Sequence, residues 1–161
     1  EASRRVTMID PNIRPGFIRD EGAYRARIDR MIAAADIVKI SDEDLSWILG
    51  AGDPVDQARA LLKLGPALIC VTEGAKGARG VSRDHNVWVD ATRVDVVDTV
   101  GAGDTFNAGV LAKLFELGAL KNAKLHDLSA AELEAALAHG ARVAAITVSR
   151  AGANPPWAAE L

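Results

Sequence analysis

One cysteine, Cys70, stands among 161 residues, so an intramolecular disulfide framework is excluded. Cys70 lies in the apolar run Ala67-Leu-Ile-Cys-Val71, where it reads as a small core hydrophobe rather than a reactive thiol. Such sparing use of cysteine fits a reducing, cytoplasmic setting. No stretch approaches the roughly 18 consecutive apolar residues needed to cross a bilayer, so no membrane partner is expected. Nor is there a basic excess. Nineteen Lys and Arg face 22 Asp and Glu for a net charge of −3, which speaks against nucleic acid as a partner. His85, His126 and His139 share no metal-ligand spacing. Internal repeats, low-complexity tracts and a signal-peptide pattern are also missing. The sequence begins at Glu1 and enters the apolar segment Val6-Thr-Met-Ile-Asp10 within a few residues. Natural termini leave more slack, so a preceding N-terminal part is expected.

What is present is a globular balance, 49% hydrophobic and 25% charged, in a length that suits one domain with its own core. Short apolar runs alternate with helical periodicity. Val6–Asp10 reads as a strand, followed by the Asp10-Pro-Asn-Ile-Arg-Pro-Gly16 turn, whose prolines block a helix. A helix is predicted over about Asp20–Ala35, with Tyr24, Ile28, Met31, Ile32 and Ala35 on one face. Asp36–Ile40 is the second strand. Ser41, with Asp44 three residues on, caps a helix to about Leu49. Pro54 opens another helix that ends near Leu64-Gly65. Ala67–Thr72 is the third strand, and Ala78–Ser82 with Asn86–Val89 forms a hairpin. Val94–Val97 reads as a further short strand. A helix over about Gly103–Leu117, a polar loop over Lys121–Ser129, a helix over about Ala131–Ala145 and a terminal strand at Thr147–Arg150 complete the reading. The alternation predicts an α/β fold with a largely parallel sheet covered by helices.

The sharpest chemical signal is Asp98-Thr-Val-Gly-Ala-Gly-Asp104, followed by Thr-Phe-Asn-Ala-Gly109. A strand, a glycine turn and a helix start follow one another. The backbone N–H groups of Gly101, Ala102 and Gly103 can converge on an anion, reinforced by roughly +0.5 charge at the helix N-terminus. Glycine is required where a Cβ would block phosphate approach or the positive φ. A carboxylate at Asp104 is electrostatically awkward beside phosphate, but it makes sense as acceptor of a proton from a hydroxyl attacking phosphorus. There is no Gly-x4-Gly-Lys-Ser/Thr, and a dinucleotide fingerprint would need glycine where Phe106 stands.

The Asp98–Gly109 segment closely resembles the C-terminal signature of the ribokinase-like (PfkB) carbohydrate kinases. Other segments follow in the same order. Asp10-Pro-Asn-Ile-Arg14 resembles the Asp-x-Asn-x-Arg of fructokinases and 2-keto-3-deoxygluconate kinases. Val38-Lys-Ile-Ser-Asp-Glu-Asp44 lies where the family carries Asn-x-x-Glu. Val71-Thr-Glu-Gly-Ala-Lys-Gly77 and Thr147–Ala153 are similar to its nucleotide-binding and closing segments. The resemblance covers the whole chain, but only the C-terminal half of a family member. It implies the C-terminal portion of one ribokinase-like kinase domain, a three-layer α/β/α sandwich with a mostly parallel sheet, with the N-terminal half and lid absent.

It also implies roles. Asp104 is the catalytic base and holds a sugar hydroxyl, while Gly101, Ala102 and Gly103 form an anion hole. Thr72, Gly74 and Gly77 line the ATP site. Asn12 and Arg14 contact substrate, the arginine through its planar fork. Ser41 and Asp44 order Mg²⁺ through water, although aspartate is one methylene shorter than the family's glutamate. Asp98 and the backbone oxygen of Val100 serve a monovalent cation such as K⁺. Ala141 stands where family members often place an adenine neighbour, so contact there would be apolar or through backbone. Trp157 reads as a packing residue. The implied activity is ATP-dependent phosphorylation of a sugar, with fructose first and a 2-keto-3-deoxy sugar acid second, by a protein that is a homodimer when complete. A non-catalytic piece that only binds nucleotide is the reading from another class.

Overall fold

A computed structural model describes residues 5–161; Glu1, where the sequence begins, lies outside the described residues. Five strands form one sheet in the order β1 (Met8–Ile9), β2 (Ile37–Ser41), β3 (Leu68–Thr72), β4 (Gly77–Ser82) and β5 (Asn86–Asp90). β1, β2 and β3 pair in parallel, whereas β4 runs antiparallel to both β3 and β5. Four strands therefore point one way and β4 alone opposes them, in keeping with a mostly parallel sheet.

Side-chain alternation along the strands builds two cores. Val38, Ile40, Ile69, Val71 and Val81 face α1 (Glu21–Ala34), α2 (Asp42–Leu49) and α3 (Pro54–Leu62), meeting Ile28, Ile32, Leu45 and Leu61. Ile37, Leu68, Cys70 and Ala78 face the other way, toward α4 (Ala102–Glu116), α5 (Asn122–Leu125) and α6 (Ala130–Val148). The result is the α/β/α sandwich. Cys70 is wholly buried, and burial pushes its thiol up to about 12, as a core role requires.

Caps fix where the helices start. Asp20 accepts the N–H of Ala23, Ser41 that of Asp44, and Asp53 those of Val55 and Asp56 with Pro54 at the first position. Ser129 and Glu132 form a reciprocal capping box at the start of α6.

Three expectations change. Val94–Val97 is not a strand. It pairs with no strand among the described residues, and the Val97 and Asp98 N–H groups instead bond the Val148 carbonyl at the end of α6. Thr147–Arg150 is not a strand either. α6 continues to Val148, with the buried Thr147 hydroxyl donating to the Val143 carbonyl. Within the loop Lys121–Ser129 stands the one-turn α5, which buries Leu125 and donates from Asn122 to Asp36 at 2.9 Å.

Candidate active site

The three parallel strands end on one edge of the sheet, and the chain leaves each at a residue of interest. Asp10 follows β1, Ser41 closes β2 and Thr72 closes β3. Because β4 runs backward, its first residue, Gly77, lies on the same edge opposite Asp90 at the end of β5. The carboxyl edge of such a sheet is where α/β proteins bind ligands. The glycine turn and the start of α4 come to this edge as well.

Gly101 adopts φ +78° and caps α4, a left-handed conformation that excludes most side chains. The N–H groups of Gly101, Gly103 and Asp104 have no backbone acceptor among the described residues. Ala102 departs from the expectation. Its N–H closes onto the Thr99 carbonyl at 3.2 Å, so three donors remain, but they are not the three consecutive ones of the turn. Thr105 turns its hydroxyl back to the Gly101 carbonyl at 3.0 Å, which braces the turn from below. Asp104 is exposed in the first turn, with its carboxylate engaged by no described residue.

Beside the turn lies a cavity of about 650 Å³. Thr72, Gly74 and Gly77 line one side and Ala102 and Gly103 the other, so the structure brings the expected nucleotide and phosphate segments together. Its remaining wall is largely apolar, with Val94, Val96, Phe106, Ala141, Ala144 and Val148. Ala141 thus stands on a wall suited to the flat face of a base. The two glycines differ in their reasons. At Gly74 (φ +55°) a Cβ would meet nothing within 4 Å. At Gly77 it would stand 2.2 Å from the Val89 carbonyl oxygen, so hairpin packing alone demands glycine there.

The Asp10–Arg14 segment is fixed by α2. Asp44 accepts the N–H of Ile13 at 3.2 Å while its own N–H is capped by Ser41 at 3.0 Å. Burial holds the Asp44 carboxyl above the usual carboxylate range; the Ile13 and Ser41 hydrogen bonds pull it back, Asp10 nearby raises it further, and Lys39 lowers it. Asn12 is the one non-glycine residue at positive φ (+45°) among the described residues. Arg14 is exposed and donates to the Ile13 carbonyl. Among the described residues no three His, Cys, Asp or Glu side chains cluster as metal ligands. Ser41 and Asp44 offer oxygen alone, which suits a hydrated Mg²⁺ held mainly by a nucleotide's phosphates.

Asp98 ties the turn to the segment after α6. Its two oxygens accept the N–H groups of Val100 (3.0 Å) and Gly152 (2.9 Å), and these bonds hold its carboxyl below the usual range. Trp157, expected to be a packing residue, is instead exposed, and it lies away from the cavity lining.

Two residues of the site escaped the sequence reading. Lys39 projects from β2 toward α4 and donates to Asp10 at 3.0 Å, and Asn107 of α4 donates to the same oxygen at 3.2 Å. The available signal was a lysine inside an otherwise apolar strand, Ile37-Val-Lys-Ile40.

With this geometry in view, comparison with known proteins is informative. A family model described as pfkB family carbohydrate kinase matches residues 2–160. The chain belongs to that family. It is 55% identical over 114 residues to a fructokinase of Rhizobium leguminosarum bv. trifolii, covering 71% of this chain and 35% of the relative. A Vibrio cholerae fructokinase double mutant, solved with fructose, ADP and potassium ion, superposes with a TM-score of 0.76 at 27% identity, over 91% of this chain and 45% of that one. Aminoimidazole riboside kinase from Salmonella enterica, complexed with aminoimidazole riboside and an ATP analog, gives 0.74 at 28% identity, over 92% and 47%. The chain thus spans less than half the length of each of these relatives.

Proposed function

We propose that the full-length polypeptide is an ATP-dependent sugar kinase, with fructose as its sugar, and that these residues supply its nucleotide site and base. One observation carries the reading. A glycine turn with free N–H groups and an exposed carboxylate in the next helical position opens beside a cavity lined by Thr72, Gly74 and Gly77. The sugar assignment draws support from the fructokinase relative.

The cavity's apolar wall takes the adenine, and the triphosphate runs toward α4. The sugar hydroxyl oxygen attacks the γ-phosphorus as the bond to the β–γ bridging oxygen breaks, and ADP leaves. Asp104 takes the hydroxyl proton. The N–H groups of Gly101 and Gly103 face the charge that builds on the transferring oxygens. Mg²⁺, held through water by Ser41 and Asp44, would neutralise the triphosphate when bound. Asp98, kept ionised by its hydrogen bonds, and the Val100 carbonyl fit a potassium-like ion. Asn12 and Arg14, on the loop after β1, are assigned to substrate binding.

The remaining sugar contacts, the lid and a homodimer interface belong to the rest of the domain, a division supported by the share of each relative that this chain spans. Cytoplasmic placement rests on the single buried thiol; no helix among the described residues is long and apolar enough to cross a membrane.

The test is ADP release by the full-length protein with ATP and a panel of sugars. Fructose is expected to give the highest kcat/KM. Preference for a 2-keto-3-deoxy sugar acid would move the substrate but keep the chemistry. Nucleotide binding without transfer to any sugar would leave a non-catalytic binding module.

A further inference from the structure

At the edge of the sheet opposite the glycine turn lies a second cleft, of about 380 Å³, a size within the range of small-ligand pockets. Three elements wall it. Arg59, in the last turn of α3, and Lys63, the C-cap of that helix, form one side. Ser82, which ends β4, and Arg83 in the hairpin turn form the second. His126, the C-cap of α5, forms the third, and Ala67, just before β3, also lines it. From Leu68 to Thr72 β3 spans roughly 13 Å, so the cleft is remote from the nucleotide cavity. Its walls are fixed. The Asp36 carbonyl accepts the Ala67 N–H at 2.8 Å, and the Asp36 carboxylate accepts the Asn122 amide of α5 at 2.9 Å. Ser82 closes the hairpin turn. Its N–H donates to the His85 carbonyl at 2.9 Å, and its hydroxyl accepts the His85 N–H at 3.2 Å.

The charge of this cleft runs against that of the chain. The net charge is −3, yet Arg59, Lys63, Arg83 and His126 line the cleft and no Asp or Glu among the described residues does. Arg59 and Lys63 stand four residues apart, a spacing at which like charges on a helix repel. The helix C-terminus offsets that repulsion for these two. It does nothing for Arg83 and His126, which come from other elements. Asp84 engages Nε and Nη2 of Arg83 and leaves Nη1 without an acceptor among the described residues. Arg59 and Lys63 have no side-chain acceptor among the described residues. Ser82 points the same way. It is buried, at 9% exposure, and its hydroxyl hydrogen meets no acceptor among the described residues. A buried donor facing a cationic cleft calls for an anionic acceptor. We propose that this cleft is a second, non-catalytic anion site that takes the phosphate group of a small molecule, either inorganic phosphate or a phosphate ester. Arg59 and Lys63 supply the charge, with the planar fork of Arg59 suited to two phosphate oxygens, and the Ser82 hydroxyl donates from the floor. The site stands independently of the kinase reading.

The test is calorimetric titration of the full-length protein with inorganic phosphate, with ADP in excess to occupy the nucleotide cavity. Arg59 and Lys63 are exposed, so Arg59→Gln/Lys63→Gln removes the charge without disturbing the core. The expected result is saturable phosphate binding that weakens about 10- to 100-fold in this variant, as for loss of charge-assisted hydrogen bonds, with ADP affinity unchanged. Ser82→Ala keeps every charge and should weaken phosphate binding about 3- to 10-fold. Glycerol 3-phosphate then distinguishes the sources: tighter binding than phosphate marks an ester as the ligand, and weaker binding marks phosphate itself. Absent phosphate binding, or binding unchanged in the double variant, overturns the proposal. Full affinity in Ser82→Ala also overturns it, since diffuse surface charge would then suffice. Failure of ADP to bind would count against the kinase reading, while the comparison of variant and unaltered protein would still decide the cleft.

Discussion

Gly109 of α4 and Gly140 of α6 face each other so closely that a Cβ on Gly109 would stand 2.8 Å from the Gly140 Cα. The two helices thus approach backbone to backbone, directly below the glycine turn. A Cβ on Gly140 would meet the Phe106 carbonyl oxygen at 2.9 Å and a Val110 methyl at 2.7 Å. Helix propensity alone favours alanine over glycine by up to ~1 kcal/mol, but here a main-chain contact outweighs it. Gly140→Ala is expected to destabilise the protein by about 1–3 kcal/mol, the range for overpacking, as read by urea unfolding. Unchanged or increased stability would show that the helices can part without cost.

Gly103 is tight for a different reason. Its neighbour is the end of a lysine side chain, which can shift where a backbone cannot. Gly103→Val is therefore expected to leave the melting temperature within a few degrees of the unaltered protein while lowering kcat strongly, because the side chain intrudes on phosphate approach. Full turnover in a stable variant would remove this backbone from the mechanism.

The start of α6 carries an acid-sensitive element. Hydrogen bonds from Lys124 and from Ser129 hold the Glu132 carboxyl at about 2, below its ordinary 4.5. A lowered carboxyl stabilises the fold above its unfolded value and loses that contribution as pH falls through the folded one. Melting temperatures of the unaltered protein should thus drop more steeply between about pH 4.5 and 2 than those of Glu132→Gln. Parallel curves would contradict the assignment.

Asn12 combines a backbone role with an expected substrate role, and the two are separable. Glycine accepts φ +45° freely, so Asn12→Gly should unfold within about 1 kcal/mol of the unaltered protein. If its amide contacts sugar, KM for fructose rises while KM for ATP holds. Unchanged sugar kinetics would leave Asn12 a turn residue only.

Much of this was legible in the sequence because the signals were local. Strand–helix alternation, Ser41 as a cap, Pro54 at a helix start, and the glycine turn before α4 each depend on a few adjacent residues. Val94–Val97 and Thr147–Arg150 misled because short runs with β-branched residues lack a label for what they meet. One found the end of a helix instead of a strand, and the other begins inside that helix, which ends at Val148. The Gly109–Gly140 contact and the Asp10–Lys39–Asn107 knot were hidden for a related reason. Each joins residues far apart in sequence, and only packing brings them together. The glycine turn was read correctly in place, yet the closure of the Ala102 N–H onto Thr99 depends on a turn geometry that residue types do not specify.

The central claim is that Asp104 accepts the proton of the attacking sugar hydroxyl. The most direct measurement is kcat and nucleotide affinity for Asp104→Asn in the full-length protein, with saturating fructose and ATP. Asn preserves shape but cannot take the proton, so kcat should fall by roughly 10²–10⁴-fold while ATP binding changes little. A variant that turns over near the unaltered rate would contradict the account.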